Sequence, residues 1–135
     1  MTDVMNTTRK ISIVDAFAQV QFLPDRTPDM PDDISENAFA KVCDYRDGGV
    51  FIGHYAGASP WERHSQGDEL VWIISGQTTL IAYIDGEERR ETLSAGEMLC
   101  VPANTWHRFE TAVEVKVMTV TPQPTDHSID LPADE

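Results

Sequence analysis

The chain of 135 residues carries 23 acidic and 10 basic side chains, giving a formal net charge of −13. This length supports one domain that buries about two thirds of its unfolded surface. The negative charge repels phosphate backbones and anionic lipids, which argues against a nucleic-acid-binding or membrane-surface protein. No stretch approaches the roughly 18 apolar residues of a membrane helix, and no secretory signal is visible near the N-terminus, so we expect a cytoplasmic protein.

The N-terminal segment, residues 1–37, is predicted to form an arm. Its part from Ile11 to Phe22 fits a strand followed by a short helix around Asp15–Gln19. Three prolines and several acids follow, and the prolines favour an extended connection. We expect this arm to pack across the rest of the domain or to reach a partner subunit.

Residues 38–121 show the composition of β-strands throughout, because Val, Ile, Thr, Tyr and Trp dominate between strong turn signals. Short strands at intervals of about 8–12 residues are typical of a sandwich or barrel. The sequence therefore predicts an all-β fold, a small antiparallel β-barrel. The predicted strands are Ala38–Tyr45, Val50–Ala56, Glu69–Ser75, Thr78–Ile84, Glu87–Leu93, Met98–Val101, Trp106–Thr111 and Glu114–Thr121. The tail, residues 122–135, is acidic and rich in proline, so we expect it to be disordered.

Two short segments of the β region supply two imidazoles and two carboxylates, from Glu62, His64, Glu69 and His107. Residues two apart on a strand share a face, so Glu62 and His64 should point the same way. Four ionisable groups in an apolar interior are costly unless they are neutralised, and a divalent cation does this directly. These four residues are therefore candidate metal ligands. The alternative is a hydrogen-bonded Glu–His cluster without a metal.

The first segment resembles one of the two metal-binding motifs of the cupin superfamily. His64 is followed after four residues by Glu69 and after six more by Gly76, as in that motif. Glu62 stands where the family usually has the first histidine of its pair. It either replaces that histidine as an oxygen ligand, or it turns away and leaves His64, Glu69 and His107 as a set with open positions.

The second segment resembles the other cupin motif in Gly96, Pro102 and His107. Asn104 replaces a glycine of the motif, a mild change because Asn tolerates positive φ. Thr111 replaces its asparagine. The resemblance covers residues 38–121 and implies the double-stranded β-helix, or jelly roll, of the cupins.

This resemblance implies a divalent transition metal inside the barrel, namely Mn, Fe, Zn or Ni. It also implies a small-molecule ligand, and the function that follows is a metal-dependent enzyme of dioxygenase or isomerase type. The alternative is a non-catalytic cupin that binds a sugar or an organic acid, with a structural metal or none. Barrels of this kind commonly pair, and an exposed sheet edge accepts a further strand, so we expect a homodimer.

Overall fold

The computed structural model describes residues 8–132, so the outer ends of the predicted arm and tail, residues 1–7 and 133–135, lie outside the described residues. Two short helices, a 3₁₀ turn at Glu36–Ala38 and nine strands follow along the chain. They are α1 (Ile13–Phe17), β1 (Leu23–Arg26), α2 (Asp32–Ser35), β2 (Phe39–Tyr45), β3 (Gly48–Ala58), β4 (Trp61–His64), β5 (Glu69–Ile84), β6 (Glu87–Ser94), β7 (Met98–Val101), β8 (His107–Pro122) and β9 (Thr125–Ser128).

The prediction of an all-β, jelly-roll barrel is confirmed. The strands form one continuous hydrogen-bonded sheet in which β1, β3, β8, β4 and β9 are successive neighbours. The long strand β5 pairs with β8 and also with β6 and β7. All of these pairings are antiparallel except that of β1, which runs parallel to β3.

The two longest strands, β5 and β8, each replace two predicted strands. The break between the predicted strands Glu69–Ser75 and Thr78–Ile84 contains Gly76, and it is an irregularity within β5, where the pairing with β8 shifts register. Gly76 has φ +79°, and a Cβ at this position would lie 2.1 Å from the carbonyl oxygen of Glu114. A bulge and a turn use the same glycine conformation, so the local sequence did not distinguish them.

The core lies inside the barrel, where alternate residues of β5 and β8 face inward. Val71, Ile73, Val115 and Val117 are among its buried members. A second apolar cluster lies on the outer surface of the sheet, where α1 places Phe17 against Ile52 and Met118.

The arm adds one strand to the barrel. The short helix expected near Asp15 is present as α1, and its first turn is capped by the Ser12 hydroxyl, which accepts from the Asp15 amide at 3.2 Å. The strand lies after this helix rather than before it, as β1, and joins the sheet edge of β3 in the same chain. Neither helix within residues 8–132 is long and apolar enough to cross a membrane.

The tail differs from the predicted disorder, because Thr125–Ser128 forms β9 and pairs antiparallel with β4. Arg63 of β4 donates two hydrogen bonds to Asp126, of 3.1 and 3.0 Å. Its guanidinium also lies 4.7 Å above the Trp106 ring. These contacts between distant parts of the sequence hold the tail beside the mouth of the barrel.

Candidate metal centre

The barrel opens into a cavity of about 570 Å³, which is lined by three of the four predicted ligands, Glu62, His64 and Glu69. The fourth, His107, is fully buried behind them. Three strands supply these residues. Glu62 and His64 lie on β4, Glu69 begins β5, and His107 begins β8, where it pairs directly with Glu62.

The Glu69 carboxylate lies between the two histidine rings. Its Oε1 is 2.9 Å from His107 Nε2 and 3.4 Å from His64 Nε2, and its Oε2 accepts a hydrogen bond of 2.7 Å from the Thr121 hydroxyl. Burial alone would raise the pKa of Glu69, but the contacts with His107 and His64 lower it to about 2. The carboxylate is therefore ionised at neutral pH.

The His107 ring has a defined tautomer because its Nδ1 lies 2.9 Å from the Thr105 carbonyl oxygen. A carbonyl only accepts, so Nδ1 carries a proton and donates it. In a neutral ring, Nε2 would then direct a lone pair at the Glu69 carboxylate. A positive charge is needed between these atoms, either a second proton or a metal ion. In the metal-free state, burial opposes protonation, but the hydrogen bond to Glu69 raises the pKa of His107 above its ordinary value.

His64 carries the observation that most directly suits a cation-binding site. Its Nε2 is buried and faces Glu69, and it has no hydrogen-bond partner among residues 8–132. Its Nδ1 lies 2.9 Å from the Thr125 hydroxyl of β9, and its carbonyl accepts a hydrogen bond of 2.9 Å from the Asn104 amide. Asn104 has the positive φ expected for it, +62°.

Glu62 lies at the edge of this group. One ligand atom each from Glu62, His64 and His107 lie within 4.8 Å of one another. The Oε2 of Glu62 is also 3.3 Å from His127 Nε2 on β9, and this contact raises the pKa of His127. Strand alternation thus places Glu62 beside His64, as expected. The contact of Glu62 with His127 was not indicated by the sequence.

Several residues around the site were not predicted. Thr121, Thr125 and His127 contact three of the candidate ligands. Thr121 lies at the end of a predicted strand, two residues from the inward-facing Thr119. Strand alternation could therefore have indicated that Thr121 also faces inward. The other two lie in the proline-rich tail, where no sequence pattern indicated a strand.

The donor set suits a divalent metal. The imidazole Nε2 atoms of His64 and His107 converge on Glu69 Oε1, and neighbouring oxygen atoms contact the opposite ring nitrogens, as is usual for metal-binding histidines. A family model described as a cupin domain matches residues 51–121, which is 71 of the 135 residues. The chain belongs to the cupin family. No curated protein sequence matches this cupin.

Solved structures share its fold. A cupin-2 domain protein from Shewanella frigidimarina has a TM-score of 0.63 at 21% identity, covering 84% of this chain and 94% of that chain. Hydroquinone 1,2-dioxygenase from a Sphingomonas species has a TM-score of 0.53 at 17% identity, covering 68% and 67%. Oxalate decarboxylase from Bacillus subtilis has a TM-score of 0.53 at 16% identity, covering 58% of this cupin but only 23% of that chain. These similarities establish the fold alone.

Proposed function

We propose that this cupin binds one divalent transition metal through His64, Glu69, His107 and Glu62, and that it acts on a small organic molecule in the adjoining cavity. The observation that carries the proposal is the buried Nε2 of His64, which lies 3.4 Å from Glu69 Oε1 and forms no hydrogen bond with any described residue. Ligand atoms that share one ion are separated by about 3 Å. The 2.9 and 3.4 Å between Glu69 Oε1 and the two Nε2 atoms agree with such sharing.

The proposed chemistry is that of a dioxygenase or an isomerase. Two histidines and a carboxylate on one side of an ion leave positions for substrate or dioxygen, and the ion would act there as a Lewis acid or redox centre. The protein supplies a buried site, a carboxylate kept ionised by its histidine contacts, and a His107 ring whose tautomer is fixed by the Thr105 carbonyl. The cavity beside these groups has the volume of a small-molecule site.

Metal binding is tested by stripping the full chain with EDTA and offering Mn(II), Fe(II), Ni(II) or Zn(II), followed by elemental analysis. We expect about one equivalent of at least one metal in the wild type, and loss of that metal in Glu69→Gln and His107→Ala. Glu110→Gln is the matched control, because Glu110 forms surface ion pairs with Arg90 and Arg108. Less than about a tenth of an equivalent of every metal in the wild type contradicts the proposal.

The role of Glu62 is tested separately with Glu62→Gln. If Glu62 is a fourth ligand, this variant binds the metal more weakly than His127→Ala, which removes only the partner of Glu62. Equal affinities for Glu62→Gln and the wild type would leave His64, Glu69 and His107 as the complete set.

Catalysis is tested with the metal-loaded protein. Oxygen uptake on addition of small phenols or organic acids supports a dioxygenase, and conversion followed by NMR without oxygen uptake supports an isomerase. Glu69→Gln should abolish either activity. Stoichiometric metal with ligand binding but no turnover would instead support a non-catalytic binding cupin.

We also propose that the protein is a homodimer. The outward side chains of Leu70, Trp72 and Met98 are 37%, 45% and 52% exposed, and Trp72 pairs with Met98 across β5 and β7. Light scattering should give twice the chain mass of 15.1 kDa. Trp72→Glu should then shift the protein towards the monomer, whereas the chain mass alone for the wild type contradicts a dimer.

A further inference from the structure

Within residues 8–132, one arginine that forms no ion pair lines the cavity next to the candidate metal centre. Arg26 ends β1 and lines this cavity, and no other arginine or lysine among the described residues does so. Within residues 8–132 the arginines that form ion pairs are Arg63, Arg89, Arg90 and Arg108. A positive charge left unpaired beside a ligand cavity is available to a ligand.

Two aromatic rings hold the guanidinium of Arg26 in place. Its Cζ lies 4.7 Å from the ring centroid of Phe39 and 4.7 Å from that of Tyr55. Burial raises the pKa of Tyr55 to about 12, so its phenol stays neutral and does not compensate the charge. Cation–π contacts fix a guanidinium without consuming its N–H donors in the way that carboxylates do.

The backbone of Arg26 is fixed as well. Arg26 pairs with Gly57 of β3, and a Cβ on Gly57 would lie 2.2 Å from the carbonyl oxygen of Arg26. β1 therefore approaches the barrel closely only because position 57 has no side chain. The arm places Arg26 in the cavity wall as a rigid, preorganised group.

We propose that Arg26 recognises the carboxylate of a small organic acid whose other end reaches the metal-site residues. This inference rests on the proposed function. A guanidinium matches a carboxylate with two parallel hydrogen bonds. The cavity wall also carries Phe39, Phe109 and Val117, which suit a flat or apolar ligand body.

The remaining charges of the cavity favour a carboxylate over a phosphate. Asp32 and Glu36 of the arm also line the cavity, together with Glu62 and Glu69. Their negative potential penalises a dianion more than a singly charged acid, because the repulsion scales with ligand charge. It also makes anion binding depend on Arg26, the only lysine or arginine among the described cavity-lining residues.

The test compares two probes of the same shape, 4-hydroxybenzoate and 4-hydroxybenzamide, by calorimetry on metal-loaded and EDTA-treated full chain. We expect the acid to bind the wild type at least about tenfold more tightly than the amide. Arg26→Gln should bring the ratio of the two affinities close to one. Arg26→Lys keeps the charge without the planar pair of donors and should give an intermediate ratio. Arg90→Gln, which removes an arginine outside the cavity, should leave the wild-type ratio.

Three outcomes overturn the proposal. They are equal affinities of acid and amide in the wild type, a ratio that persists in Arg26→Gln, and no binding of the acid at millimolar concentration. Inorganic phosphate that competes as strongly as the acid also overturns the choice of a carboxylate. Failure of metal uptake with a preserved acid preference contradicts only the proposed metal function. Normal metal uptake with no acid preference contradicts only the role of Arg26.

Discussion

Replacement of Thr125 by valine should weaken metal binding although Thr125 is not a candidate ligand. The Thr125 hydroxyl lies 2.9 Å from His64 Nδ1 and donates to the Gln123 side-chain oxygen at 3.3 Å. If Nε2 of His64 binds the ion, Nδ1 carries the proton and donates it to this hydroxyl. Valine has nearly the same shape and strand propensity as threonine but cannot accept that hydrogen bond.

The size of the effect follows from the lost contact. An unsatisfied donor beside a buried ring costs about 1–3 kcal/mol. Loss of a partner that orients a metal-binding histidine lowers metal affinity about 10–100-fold, or about 1.4–2.7 kcal/mol. We therefore expect Thr125→Val to bind Zn(II) at least about tenfold more weakly than the wild type.

Competition with a chromophoric chelator measures this affinity, and circular dichroism checks the fold of each variant. Thr125→Ser keeps the hydroxyl and should bind within about threefold of the wild type. Thr92→Val, on the exposed surface of β6, controls for the loss of any threonine hydroxyl. An affinity of Thr125→Val within about twofold of the wild type, or a serine variant as weak as the valine variant, refutes the reasoning.

Three further predictions concern pH, metal and backbone. The metal-free protein should be most stable between about pH 4.5 and 6.5, as measured by urea unfolding. The lowered pKa of Glu69, about 2, gives stability that is lost as pH falls below 4.5, and the raised pKa of His107 gives stability that is lost as pH rises above 6.5. A flat profile, or one rising steadily towards pH 9, contradicts the ion pair. Zn(II) at about 100 times its Kd should stabilise the fold by about 2.7 kcal/mol. This corresponds to a rise in Tm on the order of 10 °C in a thermal scan, and an unchanged Tm would contradict a metal site that exists only in the native state. Gly57→Ala should lower the Tm and weaken binding of the organic acid, because the new Cβ would collide with the Arg26 backbone and residue 57 has φ +104°. An unchanged Tm would show that β1 can move away from β3.

The sequence predicted the parts of the structure that local patterns determine. The two-residue period of a strand placed Glu62 and His64 on one face, and motif spacing identified Glu69 and His107, which lie in contact. The signal at Gly76 was a real backbone irregularity, but pairing with β8 decides that it is a bulge rather than a turn.

The parts that the sequence did not predict depend on contacts between distant segments. The composition of the tail gives no strand pattern, and β9 forms because β4 offers an unpaired edge and Arg63 offers a partner for Asp126. The same holds for Arg26, whose position depends on the glycine opposite it in β3. Neither the pairing of β9 with β4 nor the position of Arg26 can be predicted from composition or motif spacing.

The position of β9 also affects the order in which the protein matures. His64 and Thr125 are 61 residues apart in sequence, so their hydrogen bond forms only after residue 128 has left the ribosome and β4 has found its second neighbour. Closing a loop of this length carries an entropic cost that the pairing of β9 with β4 must offset. If His64 binds the proposed metal, a chain whose β9 has not yet paired with β4 lacks the Thr125 partner of its ring and should bind that metal more weakly.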